Sequence, residues 1–344
     1  MSEQTSIPDT SPQSDRTSGG NPVLRRLTGS SVTLSLGLVL ALVLLVVIGA
    51  VTAGSQFMNP QNFLTIVSYA AVTGVVSIGM TFVITAGGID LSVGSVLGLS
   101  TVVATLASVQ SLSMWWLLVL IPLVVGALAG LVNGLVIAYG RVVSFMATLA
   151  MLVAAAGLAE LLSNQQTQIV QDQGFLDFFG GNLVGVPVLV WIFVLAIIVG
   201  WFLLNRTTFG RRTVAIGGNL EAARLAGVQV RRHLVSIYIL SGIAAGIGGV
   251  MMLARTNTGT STNGVNYELD AIAAVVVGGT LLIGGRGTIM GTVLGVLIFS
   301  TLTNLFTQNN LSTSVQSVAK GVIIVVAVVL QQRFASRKKV RSAG

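Results

Sequence analysis

The residue types that carry catalysis are scarce in this chain, which has no cysteine, one histidine (His233) and three lysines among 344 residues. That removes disulfides, thiol chemistry and an ordinary Cys/His metal site. None of Lys320, Lys338 and Lys339 follows a G-x-x-x-x-G-K-[ST] phosphate loop, and no G-x-S-x-G elbow stands before an acid and a base. No cofactor is implied. What remains is docking chemistry. Residues 217–233 read GGNLEAARLAGVQVRRH, the one long, strongly charged interruption of an apolar chain. Asn219 is a good N-cap, Glu221 complements the positive end of a helix, and Gly227 is placed to end it in a left-handed cap. The spacing predicts a short helix over 220–226. Helices below about 12 residues are marginal alone in water, so a membrane surface or another protein must hold it.

The composition says where such a helix sits. The chain is 53% hydrophobic and 8% charged, with a mean hydropathy of +0.91. One soluble core cannot hide that much apolar surface, so lipid is the solvent and helices of about 20 residues must span it. The 41 glycines suit helices whose backbones approach closely. A net charge of +8 invites a nucleic-acid reading, but the charges line one side of a membrane instead.

Residues 1–24 are Ser-, Thr-, Pro- and Gln-rich and read as a disordered cytoplasmic tail, 25–332 as the membrane domain with a basic cytoplasmic loop at 206–233, and 333–344 as a basic cytoplasmic tail. Apolar runs fall at 32–51, 63–86, 91–109, 115–138, 143–162, 186–204, 234–253, 271–283, 288–306 and 312–330. These give an all-α integral membrane protein of about ten spans. With both termini inside, Arg16, Arg25, Arg26, Arg141, Arg206, Arg211, Arg212, Arg224, Arg231, Arg232, Arg286 and the tail residues Arg333, Arg337, Lys338, Lys339 and Arg341 are cytoplasmic. Arg255 alone falls outside, Lys320 lies within a span, and the longest outside loop, 163–185, holds Asp172 and Asp177. Paired glycines at Gly87-Gly88 and Gly284-Gly285 make broken or re-entrant helices an open alternative there. An internal echo, GGIDLSVGSVLG at 87–98 and GGRGTIMGTVLG at 284–295, suggests two related halves.

Glu221-Ala222-Ala223, followed after three residues by Gly227, resembles the EAA-x-x-x-G loop of ABC importer permeases. Residues 81–100, 133–152, 208–230 and 267–295 are similar, in the family's order, to the ribose-type, monosaccharide branch; branched-chain amino-acid permeases are more distant relatives. Two departures stand out: Val143-Ser144 precedes Phe145 where the family often has Pro, and Ala156-Gly157 replaces a usual Arg-Gly pair. The resemblance implies a type II-like ABC importer permease in a bacterial plasma (inner) membrane, multi-pass, importing a pentose or hexose. It further implies an ABC ATPase subunit, an extracytoplasmic sugar-binding protein and a second permease subunit, identical or different, alongside membrane lipid and no nucleic acid. By the same resemblance Asn219, Glu221, Ala222, Ala223, Arg224 and Gly227 form the ATPase-coupling helix. Without the motif, Glu221 would read as a helix-dipole complement and the arginines as topology determinants.

Candidate substrate-pathway residues are Asp90, Ser92, Ser95, Asn133, Thr148 and Lys320. Asp90 near a span end reads first as the cap of a helix starting at Leu91, and otherwise as a polar constriction. Asn133 shares the face of Gly126, Gly130 and Gly134, where helix packing accounts for it and a neutral, hydroxyl-rich solute would also use it. Glu268 and Asp270 read as first-turn acids on the outside. Lys320, roughly 12 Å down its helix, is either functional or paired with an acid the sequence does not identify. Two other classes compete with the permease: an ion-coupled secondary transporter of a small polar solute, which needs titratable groups at mid-membrane, and a membrane-embedded enzyme, for which acid, base and metal constellations are missing.

Overall fold

A computed structural model describes residues 30–323, 325 and 326 of the chain. The expected tails 1–24 and 333–344, with Arg16, Arg25, Arg26, Arg333, Arg337, Lys338, Lys339 and Arg341, lie outside the described residues. Seven described helices are long and apolar enough to cross a membrane. They are α1 (Ser30–Phe57), α2 (Pro60–Thr85), α5 (Leu117–Ala138), α6 (Ser144–Ser163), α8 (Val188–Arg206), α11 (Val230–Thr256) and α13 (Ile289–Gln308). Two apolar runs form shorter helices, α3 (Val93–Ala104) and α12 (Tyr267–Val277). Residues 313–323 are helical, and the rest of the expected last span, to residue 330, is not among the described residues apart from 325 and 326.

The shortening of α3 and α12 corrects the expected spans 91–109 and 271–283, and both have local causes. Helix α3 closes with Thr105 as its C-cap, and Leu106 turns extended, so α4 (Ala107–Gln110) is a separate turn. A 12-residue helix covers only about 18 Å of a hydrocarbon core about 30 Å thick. Helix α12 stops in a Schellman motif: Gly279, at φ +90°, donates to Val276 at 2.8 Å and Thr280 donates to Val275 at 3.2 Å. Helix α2 ends the same way, with Gly87 at φ +85°, Gly87 N–H on Ile84 and Gly88 N–H on Val83.

Helices α2 and α11 are the centre of the bundle, with 78% of each apolar window buried, against 6% for α1. Helix α11 lies directly on α5 because both present glycine. A Cβ on Gly126 would overlap the Gly242 carbonyl, one on Gly130 the Tyr238 carbonyl, and one on Gly246 the Pro122 carbonyl. This is the expected glycine face of α5, doing helix packing.

Two ends are distinct. At one, Arg141, Arg206, Arg211, Arg212, Arg224, Arg231, Arg232 and Arg286 gather with the links after α2 and before α13. Here the basic stretch 206–233 holds two helices: α10 (Leu220–Leu225), expected from its caps, and α9 (Thr208–Gly218), which the sequence pattern did not predict. At the other, β1 (Gln168–Ile169) pairs antiparallel with β4 (Thr258–Gly259), and β2 (Asn182–Leu183) forms a hairpin with β3 (Val186–Pro187). Helix α7 (Gln173–Phe179) is capped there by Asp172, whose carboxylate accepts from Phe175 N–H at 2.8 Å. The loop 163–185 is therefore folded, with short strands and a helix.

Candidate functional site

Helix α10 has the caps its sequence dictates. Asn219 Oδ1 accepts from Ala222 N–H at 3.0 Å. At the other end Gly227, at φ +82°, donates to Arg224, and Val228 donates to Ala223 at 3.1 Å, a third Schellman motif. The helix closes at Leu225 with Ala226 as its C-cap, one residue short of the expected 220–226. Ala223 is buried and faces the protein, whereas Glu221 and Arg224 pair on the exposed side at 3.3 Å. Leu225 is 83% exposed and Leu220 45%. Two exposed leucines flanking an ion pair make a small apolar knob, and nothing in the sequence pattern singles out Leu225.

Helix α9 mounts this knob on the bundle. Its buried positions Gly210, Thr213 and Ile216 recur every three residues, leaving Arg211 and Arg212 exposed. Thr213 Oγ1 meets His233 Nε2 of α11 at 2.9 Å. Phe209 lies between the rings of Phe82 on α2, at 5.9 Å, and His233, at 4.6 Å. At the last turn of α9 a Cβ on Gly217 would strike the Thr85 carbonyl and Gly285 N. Gly285 N–H itself donates to the Thr85 carbonyl at 2.9 Å, and Gly284, at φ +85°, abuts Gly87. The last turn of α9, just before α10, thus touches both glycine-rich links, which open the similar stretches 87–98 and 284–295. Their following glycines also act alike: Gly94 and Gly98 pack on the carbonyls of Gly264 and Asn263, and Gly291 and Gly295 on those of Gly278 and Ala274.

The six pathway candidates do not stay together. Asp90, Ser92 and Asn133 form one buried knot. Asp90 Oδ1 accepts from Ser92 N–H at 3.0 Å and Ser92 Oγ–H at 2.6 Å. Asp90 Oδ2 accepts from Ser241 of α11 at 2.8 Å, and Asn133 Nδ2 donates to Ser92 Oγ at 2.9 Å. Helix α3 starts at Val93 with Ser92 as its N-cap, so Asp90 organises the turn before the helix rather than capping one at Leu91. Nor does it lie near an end: Ser241 stands roughly 17 Å along α11 at 1.5 Å per residue, and Asp90 is 1% exposed. Thr148 joins the knot's edge, donating to the Ile89 carbonyl at 3.2 Å. Ser95 is half-buried on α3. Lys320 is elsewhere. Its Nζ reaches both Asp270 oxygens at 3.1 and 3.2 Å, which identifies the missing acid, and the pair lines a separate polar cavity at the end of the bundle away from α10.

The family described as "Branched-chain amino acid transport system / permease component" matches residues 62–328. The chain is 41% identical over 311 residues to the ribose import permease protein RbsC of Bacillus subtilis, covering 90% of this chain and 96% of that protein. It is 37% identical to RbsC of Escherichia coli K12, covering 86% of this chain and 92% of that one. It is 35% identical to the L-arabinose ABC transporter permease protein AraH of Azospirillum brasilense, covering 80% and 81%. No solved structure matches it. With seven membrane-length helices and a match over most of its length, the chain belongs to this family of permease components and is a multi-pass protein of the plasma membrane.

Proposed function

We propose that the chain is the permease subunit of an ATP-binding cassette importer that carries a ribose-like monosaccharide inward. One observation carries the ATPase half of this reading: α10 is fully capped yet covered on one side only, with Leu225 83% exposed. An apolar knob on a charged surface is what a partner's cleft would bury. Asn219, Glu221, Ala222, Ala223, Arg224 and Gly227 are its coupling residues, and a separate subunit hydrolyses ATP. The sugar half is supported by relatives named for ribose and arabinose. A sugar-binding protein outside and a second permease subunit, identical or different, complete the assembly. The eight arginines gathered at the α10 end support placing that end in the cytoplasm, with about ten spans when α3, α12 and the segment from 313 are counted. The matched glycine links support two related halves.

Coupling follows from contact. Closure of the ATPases displaces α10, and Gly217 passes the displacement to Thr85 and Gly285 because no side chain cushions those backbones. The links into α3 and α13 then shift together. The test is ATP-dependent uptake of radiolabelled ribose, with leucine alongside, by the permease, ATPase and binding protein rebuilt in liposomes. Leucine import without ribose import would sink the sugar assignment.

The buried Asp90 favours one rival, the ion-coupled secondary transporter, because its carboxylate lies deep in the bundle. Against that, three donors already satisfy it, as in a structural turn. Uptake that collapses with an uncoupler while ATP is held constant would establish the rival.

A further inference from the structure

Between α2, α13, the first turn of α12 and the segment carrying Lys320 lies a cavity of about 710 Å³. It lies within the size range of small-molecule sites and is large enough for a single monosaccharide. One wall is a polar face of α2, where Asn62, Thr65, Tyr69 and Thr73 recur at three- and four-residue spacing. The facing wall is Ser300, Thr303 and Asn304 on α13. Thr73 lies roughly 20 Å along α2, so the cavity descends from the end away from α10 to about mid-bundle. An amide turned toward lipid is costly, because nothing there can satisfy it. Thr65 and Thr303 satisfy their hydroxyls on their own helices, while the amides of Asn62 and Asn304 meet each other across the cavity wall.

The side chains around it are arranged for neutral, oxygen-rich solutes. Asn62 and Asn304 exchange amide hydrogen bonds at 3.1 and 2.8 Å, and Gln308 donates to Asn62 at 3.1 Å. Amides and hydroxyls both donate and accept, as sugar hydroxyls do. Lys320 and Asp270 cancel each other's charge. Arg255 donates through Nη2 to the Tyr267 hydroxyl at 2.9 Å and lies over the Tyr69 ring at 4.7 Å. Its Nη1 is buried and has no partner among the described residues. Arg255 is thus a fixed cation on the cavity wall, held by two tyrosines, with Nη1 closed off from solvent.

We infer that this cavity is the monosaccharide acceptor site of the permease, the place a sugar enters from the extracytoplasmic face before crossing. The inference rests on the sugar-importer reading and deepens it: sugar contacts sit on α2, α13 and Arg255, and the Asp90 knot is scaffold. The chain's lack of cysteine makes the test direct. Thr65→Cys, Ser300→Cys and Thr303→Cys are each placed in the assembled importer in liposomes. A membrane-impermeant methanethiosulfonate is added on the binding-protein side, and modification of the permease chain is read by mass. The expected result is modification at all three positions, slowed at least threefold by ribose and not by leucine. Treated importer should take up ribose at least tenfold more slowly than the same variant untreated, with the binding protein's own ribose affinity unchanged. Cysteines that the reagent cannot reach, that crosslink one copy to another, or whose modification leaves uptake intact would overturn the acceptor site while leaving the importer standing. Protection by leucine and not by ribose would overturn the ligand class. A wild-type importer that takes up no ribose would overturn both readings at once.

Discussion

Gly285 donates its backbone N–H to the Thr85 carbonyl at 2.9 Å, and Gly217 of α9 rests on that bond with no room for a side chain. Gly217→Ala forces the backbones apart, at about 1–3 kcal/mol for overpacking. ATP-driven ribose uptake should fall at least tenfold. Gly218→Ala, next in sequence and open to space, should stay within twofold of wild type. Equal effects from both would show that helix composition, not this contact, matters.

Glu221→Lys, Leu225→Asp and Gly227→Pro all act on the α10 knob. Gly227 sits at φ +82°, which proline's ring, fixed near −65°, cannot adopt. Each variant should insert normally, since none faces the bundle core, and should lose ATPase-coupled uptake. Copurification of the ATPase with the permease gives a direct reading, and normal transport by these variants would end the coupling assignment.

The Lys320–Asp270 pair is partly exposed, 21% and 29%, so its loss falls between the surface and buried extremes. Lys320→Met alone should destabilise by about 1–3 kcal/mol because it strands a carboxylate in a cavity wall. Joining it with Asp270→Leu should recover most of that, read as the unfolding midpoint in mild detergent. A double variant as unstable as the two singles summed would mean that the pair is not a unit.

Asp90 accepts three hydrogen bonds from Ser92 and Ser241. Asp90→Ala should cost about 1–3 kcal/mol by orphaning buried donors, while Asp90→Asn keeps an acceptor and loses less. Asn133→Ala removes a single interhelical bond and should cost about 0.6 kcal/mol. Thermal unfolding of the purified permease ranks the three, and an Asn variant worse than the Ala variant would contradict the scaffold role.

The sequence determined what is local. Apolar length fixed the solvent as lipid, and Asn219 and Gly227 fixed both ends of α10, because a cap is a hydrogen bond to a residue only a few positions away. The glycines of α5 likewise announced a face that a backbone would approach. Gly279 shortened one apolar run through equally local bonds, but hydropathy alone does not register such a stop. The polar spacing on α2 and α13 was present in the sequence too, since periodicity names the face a residue shares. It does not name the neighbour across from it. Only packing decided that Asp90 reaches Ser241 in the middle of α11, that Lys320 meets Asp270, and that Asn62 faces Asn304. Those partners are separated by scores to hundreds of residues, and the crossing of helices, set by where glycines let backbones close, determines which polar faces meet.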